Sequence, residues 1–393
     1  MAETRLKKAA NQSAQRSGAE VLVVGAGVIG LSVAWELSRR GAEVIVLDSG
    51  AIAGLSEGKP LAASWAGAGI LPPAAKAGTT QDPFEQLKTF SMQLHPTWAA
   101  ELFRQTGIDS QFSRCGGLHI STTPAEAATL VANRFWWDEH QIEYENWDAA
   151  QVASALPVLN DQQIKMACFL PGECQLRNPR HLKALVAACV ANGVRFEQEA
   201  RVVGLVQSDG GAIQGVKTES KELYASKICV CSGAWARQLL DGQGVETGLL
   251  PVRGQIVLYR LPGQRFRCVV NEGHRYLVPR DDGRVLAGSV EEEVGYRLDT
   301  TQEAIEQIRA WAEHLLPELR RAEVESSWAG LRPGSFDTFP YMGSVPECND
   351  LFVAAGHFRS GLYLSPATAV CMADLIEGNQ PPIDMHSFRV GRG

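Results

Sequence analysis

Residues 19–50, AEVLVVGAGVIGLSVAWELSRRGAEVIVLDSG, restrict the fold more than any other part of this 393-residue chain. Residues 21–24 are a short apolar run, the pattern of a strand buried on both faces of a parallel sheet. Gly25, Gly27 and Gly30 follow as G-x-G-x-x-G. Gly25 permits a tight turn, Gly27 leaves room for a pyrophosphate against the backbone, and Gly30 lets the next helix pack on the strand. Ile29, Val33 and Leu37 recur at helical spacing, and Gly41 stands where that helix ends. A second apolar run, 44–47, stops at Asp48, 18 residues past Gly30, with Ser49 beside it. A carboxylate in that place accepts ribose hydroxyls, while the helix N-terminus faces the pyrophosphate. The complete frame predicts a dinucleotide-binding unit opening an α/β domain. NAD and FAD proteins share it, so the unit alone leaves both open.

The rest of the chain departs from a simple doubly wound repeat. Residues 64–78, SWAGAGILPPAAKAG, are rich in small residues and carry two prolines. Residues as small as Ser64, Ala68 and Gly69 let the backbone run close to a bulky flat ring. Asn178, Pro179 and Gly193 read as cap, first-turn proline and terminal glycine of a helix with Leu182, Leu185, Val186 and Cys189 on its apolar face. KICVCSGAWA, 227–236, reads as a buried strand entering a glycine turn, and residues 351–378 as strand, turn and helix.

Between these blocks GGLHISTT, RGQIVLYRLPG and HRYLVPRDDGRVLAGSV alternate as antiparallel strands do, the last with a turn at Asp282 and Gly283. NRFWWDEHQIEYENW and a helix from Gln302 to Leu316 are expected to cover them. Two interleaved domains follow. The α/β nucleotide domain is expected from 19–90, 172–245 and 326–390, and a mixed antiparallel-sheet substrate domain from 91–171 and 246–325. The polar leader 1–18 is expected to be disordered.

Composition narrows the function. With 45% hydrophobic residues the chain can bury two cores. A net charge of -7 is the wrong sign for nucleic acid. No apolar run approaches the ~20 residues of a membrane span, and the leader has no signal-peptide core. Nine irregularly spaced cysteines read as reduced thiols of a cytoplasmic protein. Cys229 and Cys231 read as core packing rather than a metal pair.

AGLRPGSFDTFPYMG, 329–343, sets one cation, Arg332, between leucine and proline with glycine on both sides. Backbone so constrained fixes the direction of a guanidinium, whose planar fork holds a carboxylate bidentately. A structural ion pair is the plainer reading of the same arginine.

VVGAGVIGLSVAWEL, SWAGAGILPP, CSGAWA, RYLVPRDDGRVLAGSVEEEVGY, WAGLRPGSFDTFPYMG and AAGHFRSGLYLSPATA stand in order across nearly everything after the leader. Together they resemble the D-amino-acid oxidase family of FAD enzymes, and within it the glycine oxidases of the thiamine pathway. The resemblance implies that Arg332 holds a substrate carboxylate with Tyr276 assisting, and that Arg359 lies near the active site. His274 precedes Tyr276 by two residues and would face the same side. The cofactor residues it implies are Gly25, Gly27, Ile29, Gly30, Asp48 and Ser49, then Ser64, Trp65, Ala68 and Gly69. Val202, Ser232, Gly233, Trp235 and Arg332 follow, with the turn His357, Phe358, Arg359, Ser360 and Gly361 against the flavin pyrimidine edge. His357 reads as a hydrogen-bonded structural histidine rather than an acid–base group.

Sarcosine oxidases of the same superfamily attach FAD through a cysteine near the G-L-R-P region. This chain has none between Cys268 and Cys348, so the FAD is expected to be non-covalent. The implied reaction is oxidation of glycine, or of another small amine or D-amino acid, by hydride loss to the flavin without a side-chain base. Water then releases the 2-oxo acid and ammonia, and dioxygen yields hydrogen peroxide, unless the imine passes to thiazole synthesis. Expected partners are the amine and dioxygen, with neither nucleic acid nor membrane, in an oligomer of identical chains. Two other readings fit the same fingerprint: a D-amino-acid dehydrogenase reducing a quinone, and a non-enzymatic FAD-binding redox sensor.

Overall fold

The computed structural model describes residues 19–55, 62–160, 164–209, 211–241, 244–263 and 266–392. The leader expected at 1–18 lies outside them. The apolar run at the front becomes the strand Ala19–Val24, central in the first sheet. Parallel neighbours Val44–Leu47 and Glu222–Val230 flank it, and Arg195–Glu197 and Cys348–Ala355 extend the sheet in parallel on either side. Tyr341–Val345 closes one edge antiparallel, and the hairpin of Val202–Gln207 and Ile213–Thr218 pairs onto Glu222–Val230.

Helices Val28–Arg39, Pro83–Thr106, Asn178–Ala191 and Gly361–Glu377 bury one face of this sheet. Trp35 and Trp98 meet edge to face at 4.7 Å within that core. The domain boundary expected at 90/91 falls inside the continuous helix Pro83–Thr106, which packs wholly on the first domain. Asp82 caps its start, accepting from the N–H groups of Phe84 and Glu85, and Gly107 ends it at φ 71°.

The second sheet has eight strands in the order Glu323–Gly334, Leu250–Arg260, Arg284–Gly288, Arg275–Pro279, Val269–Glu272, Gly117–Ser121, Met166–Leu170, Glu145–Trp147. All its pairings are antiparallel except Val269–Glu272 with Gly117–Ser121. Helix Gln302–Leu315 packs its buried Ile308, Trp311 and Ala312 on one face. The first of these strands carries Arg332, so residues 326–334 belong to this sheet rather than to the nucleotide domain. No helix among the described residues is long and apolar enough to cross a membrane.

Candidate active site

A cavity of about 1150 Å³ is lined by both domains. It exceeds the ~300–1,000 Å³ of pockets for drug-sized ligands. The glycine turn forms one part of its wall. Gly25 has φ +112°, and a Cβ there would stand 2.6 Å from the Cys231 carbonyl oxygen. A Cβ on Gly30 would stand 1.9 Å from the Gly25 carbonyl oxygen, so Gly30 lets the helix close onto the turn itself. Gly27 is different: the nearest atom to a Cβ there is Ser64 Oγ at 3.6 Å. The space before Gly27 is open, at the positive end of helix Val28–Arg39.

Asp48 closes this part. Its Oδ2 accepts from the Ala26 N–H at 2.7 Å and its Oδ1 from the Gly50 N–H at 2.9 Å. Burial raises its pKa, against the pull of those backbone donors. The carboxylate thus ties the glycine turn to the strand end and still lines the cavity.

The small-residue segment after Ala62 is held from behind by three side chains. Asn178 Nδ2 donates to the Ser64 carbonyl at 2.6 Å, Trp328 Nε1 to that of Ala66 at 3.0 Å, and Arg280 Nη2 to that of Ala68 at 2.6 Å. Asn178 is therefore no helix cap; it is the first residue of its helix and its amide reaches the distant loop. Ser64 Oγ in turn accepts from the Val28 N–H at 3.0 Å. A Cβ on Gly69 would stand 1.9 Å from the Leu176 carbonyl oxygen, so the segment runs where only glycine fits.

Arg332 and Tyr276 meet in another part of the wall. Arg332 Nη2 donates to Ser289 Oγ at 2.7 Å and Nη1 to the Val290 carbonyl at 3.0 Å. It forms no ion pair with a carboxylate among the described residues. Burial lowers its pKa, opposed by the neighbouring Tyr276. Burial likewise raises that of the Tyr276 phenol. A largely buried guanidinium held only by neutral oxygens leaves its charge for an anion to neutralise.

Arg359 stands at φ-constrained backbone after Phe358, φ +46°, and pairs with Glu291 at 3.1 Å, half in solvent. His274, just before the strand Arg275–Pro279, lines the cavity, and burial lowers its pKa. His357 is buried with Nε2 3.1 Å from Thr368 Oγ1, and burial pushes its pKa down to about 3.

Ile29, Ser49, Val202, Ser232, Gly233, Trp235, Phe358, Ser360 and Gly361 also reach the cavity wall. Gly30 and Trp65 do not. Gly30 lies under the turn, and Trp65 packs edge to face with Trp328 at 5.6 Å. Arg280 was not legible as a site residue, although an arginine directly after a buried strand is a signal for a buried polar role. Cys231 is on the wall, its Sγ 3.6 Å from that of Cys229. That neighbour and burial hold its thiol well above the ordinary range, so it is a poor nucleophile for attaching a cofactor.

The open space before Gly27, the anion-attracting helix start and the length of the wall from Asp48 to Arg332 fit a dinucleotide carrying a flat ring. Comparison with known proteins agrees. The FAD dependent oxidoreductase family DAO matches residues 20–375. A glycine oxidase of Pseudomonas putida is 36% identical over 93% of this chain and 96% of its own. The structure of glycine oxidase from Geobacillus kaustophilus superposes with a TM-score of 0.88 at 30% identity, over 95% of this chain and 99% of that one. A bifunctional ThiO/ThiG protein of Synechocystis is 29% identical over 94% of this chain but 53% of its own. The chain belongs to the DAO family of FAD dependent oxidoreductases, with FAD as its cofactor.

Proposed function

We propose that the protein oxidises glycine and other small amino acids in the cytoplasm, and that its imine product feeds thiazole synthesis. The observation that carries this reading is Arg332, mostly buried, unpaired with any described carboxylate, and beside Tyr276 on the cavity wall. The identity with glycine oxidases supports the choice of substrate, and a ThiO/ThiG relative in which a matching region shares one longer chain supports the destination.

FAD, when bound, supplies the hydride acceptor. Gly27, Asp48 and the Ser64–Gly69 segment would hold it. Arg332 holds the substrate carboxylate through two parallel N–H donors, and the Tyr276 hydroxyl adds a third. Ser289 and the Val290 carbonyl keep the fork from rotating. Held at two points, the substrate has little freedom at Cα, and positioning of this kind supplies most of the rate enhancement that the residues themselves give. Among the described residues of the cavity wall the one carboxylate is Asp48, beside the glycine turn, so none stands against the amine, in keeping with chemistry that uses no side-chain base.

Aerobic peroxide release with glycine, sarcosine and a panel of D-amino acids tests the reading. Peroxide with glycine supports it. Flavin reduction without peroxide, followed by electron transfer to a quinone, favours the dehydrogenase instead, and no reduction by any amine leaves a binding protein.

A further inference from the structure

A lateral row of residues crosses the cavity side of the second sheet. Gly288 pairs with Tyr276, Tyr276 with Asn271, and Asn271 with His119, each on the next strand. Tyr276, Asn271 and His119 all line the cavity. At about 4.8 Å per strand, Asn271 is one spacing and His119 two, roughly 10 Å, from Tyr276.

Behind the row lies Glu173, 1% exposed. Its Oε1 accepts from Asn271 Nδ2 at 2.9 Å, and its Oε2 is 2.8 Å from His119 Nε2. Gly117 makes the room: a Cβ there would stand 2.3 Å from the Glu173 carboxyl carbon. A carboxylate only accepts, so both neighbours direct their donors at it. His119 then carries its hydrogen on Nε2, and the 3.3 Å approach of Asn271 Nδ2 to that nitrogen is a contact of two donors sharing one carboxylate.

What remains is His119 Nδ1 and Asn271 Oδ1, neither with a partner among the described residues. Both are acceptors. Nearby cations do not offset them, since Lys88 pairs with Glu85 at 2.7 Å and Arg275 with Glu272 at 3.0 Å. Trp137, edge to face with His119 at 5.7 Å, adds an aromatic ring that attracts cations.

We propose that Asn271 and His119, oriented by Glu173, form a donor-selective subsite for the part of the substrate distal to its carboxylate. It takes an ammonium or amide N–H on that part and disfavours a second carboxylate. The inference rests on the carboxylate being held at Arg332, as in the function proposed above.

The test is binding of acids with no amine next to the carboxylate to the FAD-loaded protein, read from the shift, not the bleaching, of flavin absorbance. γ-Aminobutanoate, glutaric acid monoamide, pentanoate and glutarate differ only at the far end. The ammonium and amide are expected to bind more tightly than pentanoate, and glutarate most weakly, with about tenfold between the ends for one charge-assisted hydrogen bond. Glu173→Gln brings an amide donor into the row and narrows that spread; His119→Phe narrows it while keeping the buried carboxylate. A flat series, glutarate binding tightest, no binding by any acid, or an unchanged spread in folded His119→Phe overturns the proposal. A protein that oxidises no amine but ranks the acids as expected refutes the activity and keeps the subsite.

Discussion

Gly254 lies against the Arg332 guanidinium: a Cβ at 254 would stand 2.3 Å from Nη2 and 2.5 Å from Cζ. The two residues are on paired strands, where Val252 faces Arg332 and Gly254 faces Gly330. The missing side chain at 254 is what lets the fork lie flat on the sheet. Gly254→Ala pushes it off Ser289 and Val290. A displacement of about 1 Å costs ~100-fold in rate for a positioned substrate. Anaerobic flavin reduction by glycine should slow by that order, while a carboxylate-free amine should be little affected. Equal glycine kinetics in mutant and wild type would show that the fork has no defined seat.

Arg332→Lys keeps the charge and replaces two parallel donors with a point. The substrate keeps its attraction and loses its orientation, so flavin reduction should fall as well as affinity. Arg332→Ala should lose more. Wild-type reduction by glycine in Arg332→Lys, at as low a concentration, would remove Arg332 from substrate binding and leave the family assignment standing.

Asp48→Ala leaves the Ala26 and Gly50 N–H groups without their acceptor and removes the group facing a ribose. FAD affinity, from fluorescence on titrating the apoprotein, should weaken by on the order of 1–3 kcal/mol. If the affinity holds while thermal stability drops, Asp48 serves the glycine turn alone.

The front of the chain was legible because its fingerprint is contiguous: Gly25, Gly27 and Gly30 shape a turn and helix that adjoin them, although the Cys231 carbonyl beside Gly25 comes from a distant strand. Arg332 stands out by its local motif, but what seats its guanidinium, Gly254, Ser289 and Val290, comes from other segments. Asn178 misled, because its place before Pro179 resembles a cap while its amide reaches Ser64, far back in the chain. The boundary expected at 90/91 falls inside one helix, Pro83–Thr106, which runs through it unbroken. Glu173 carried no signal at all. Its role arises only when Gly117 and Asn271 are brought into adjacent strands, and register between distant segments is not written in either one.

Acid should destabilise the fold well above the carboxylate range. Burial pushes His95, His181 and His357 down to about 4, 3 and 3, against about 6.5 in an unfolded chain. Between those values the unfolded chain binds the protons and the folded one does not, so falling pH favours unfolding. Their contribution is whole above about pH 6.5 and is lost as pH falls toward the folded values. Asp48, whose pKa burial raises, works in the opposite sense, and His274, whose pKa burial lowers, adds to the three in the same sense. At about 1.4 kcal/mol per proton per pH unit, these three histidines give a slope of roughly 4 kcal/mol per pH unit near pH 5. Urea unfolding across about pH 7 to 5 measures it. His357→Gln keeps a hydrogen-bonding group for Thr368 but cannot take up a proton, so the slope should fall by about one third. An unchanged slope would mean that His357 takes up its proton within the folded protein.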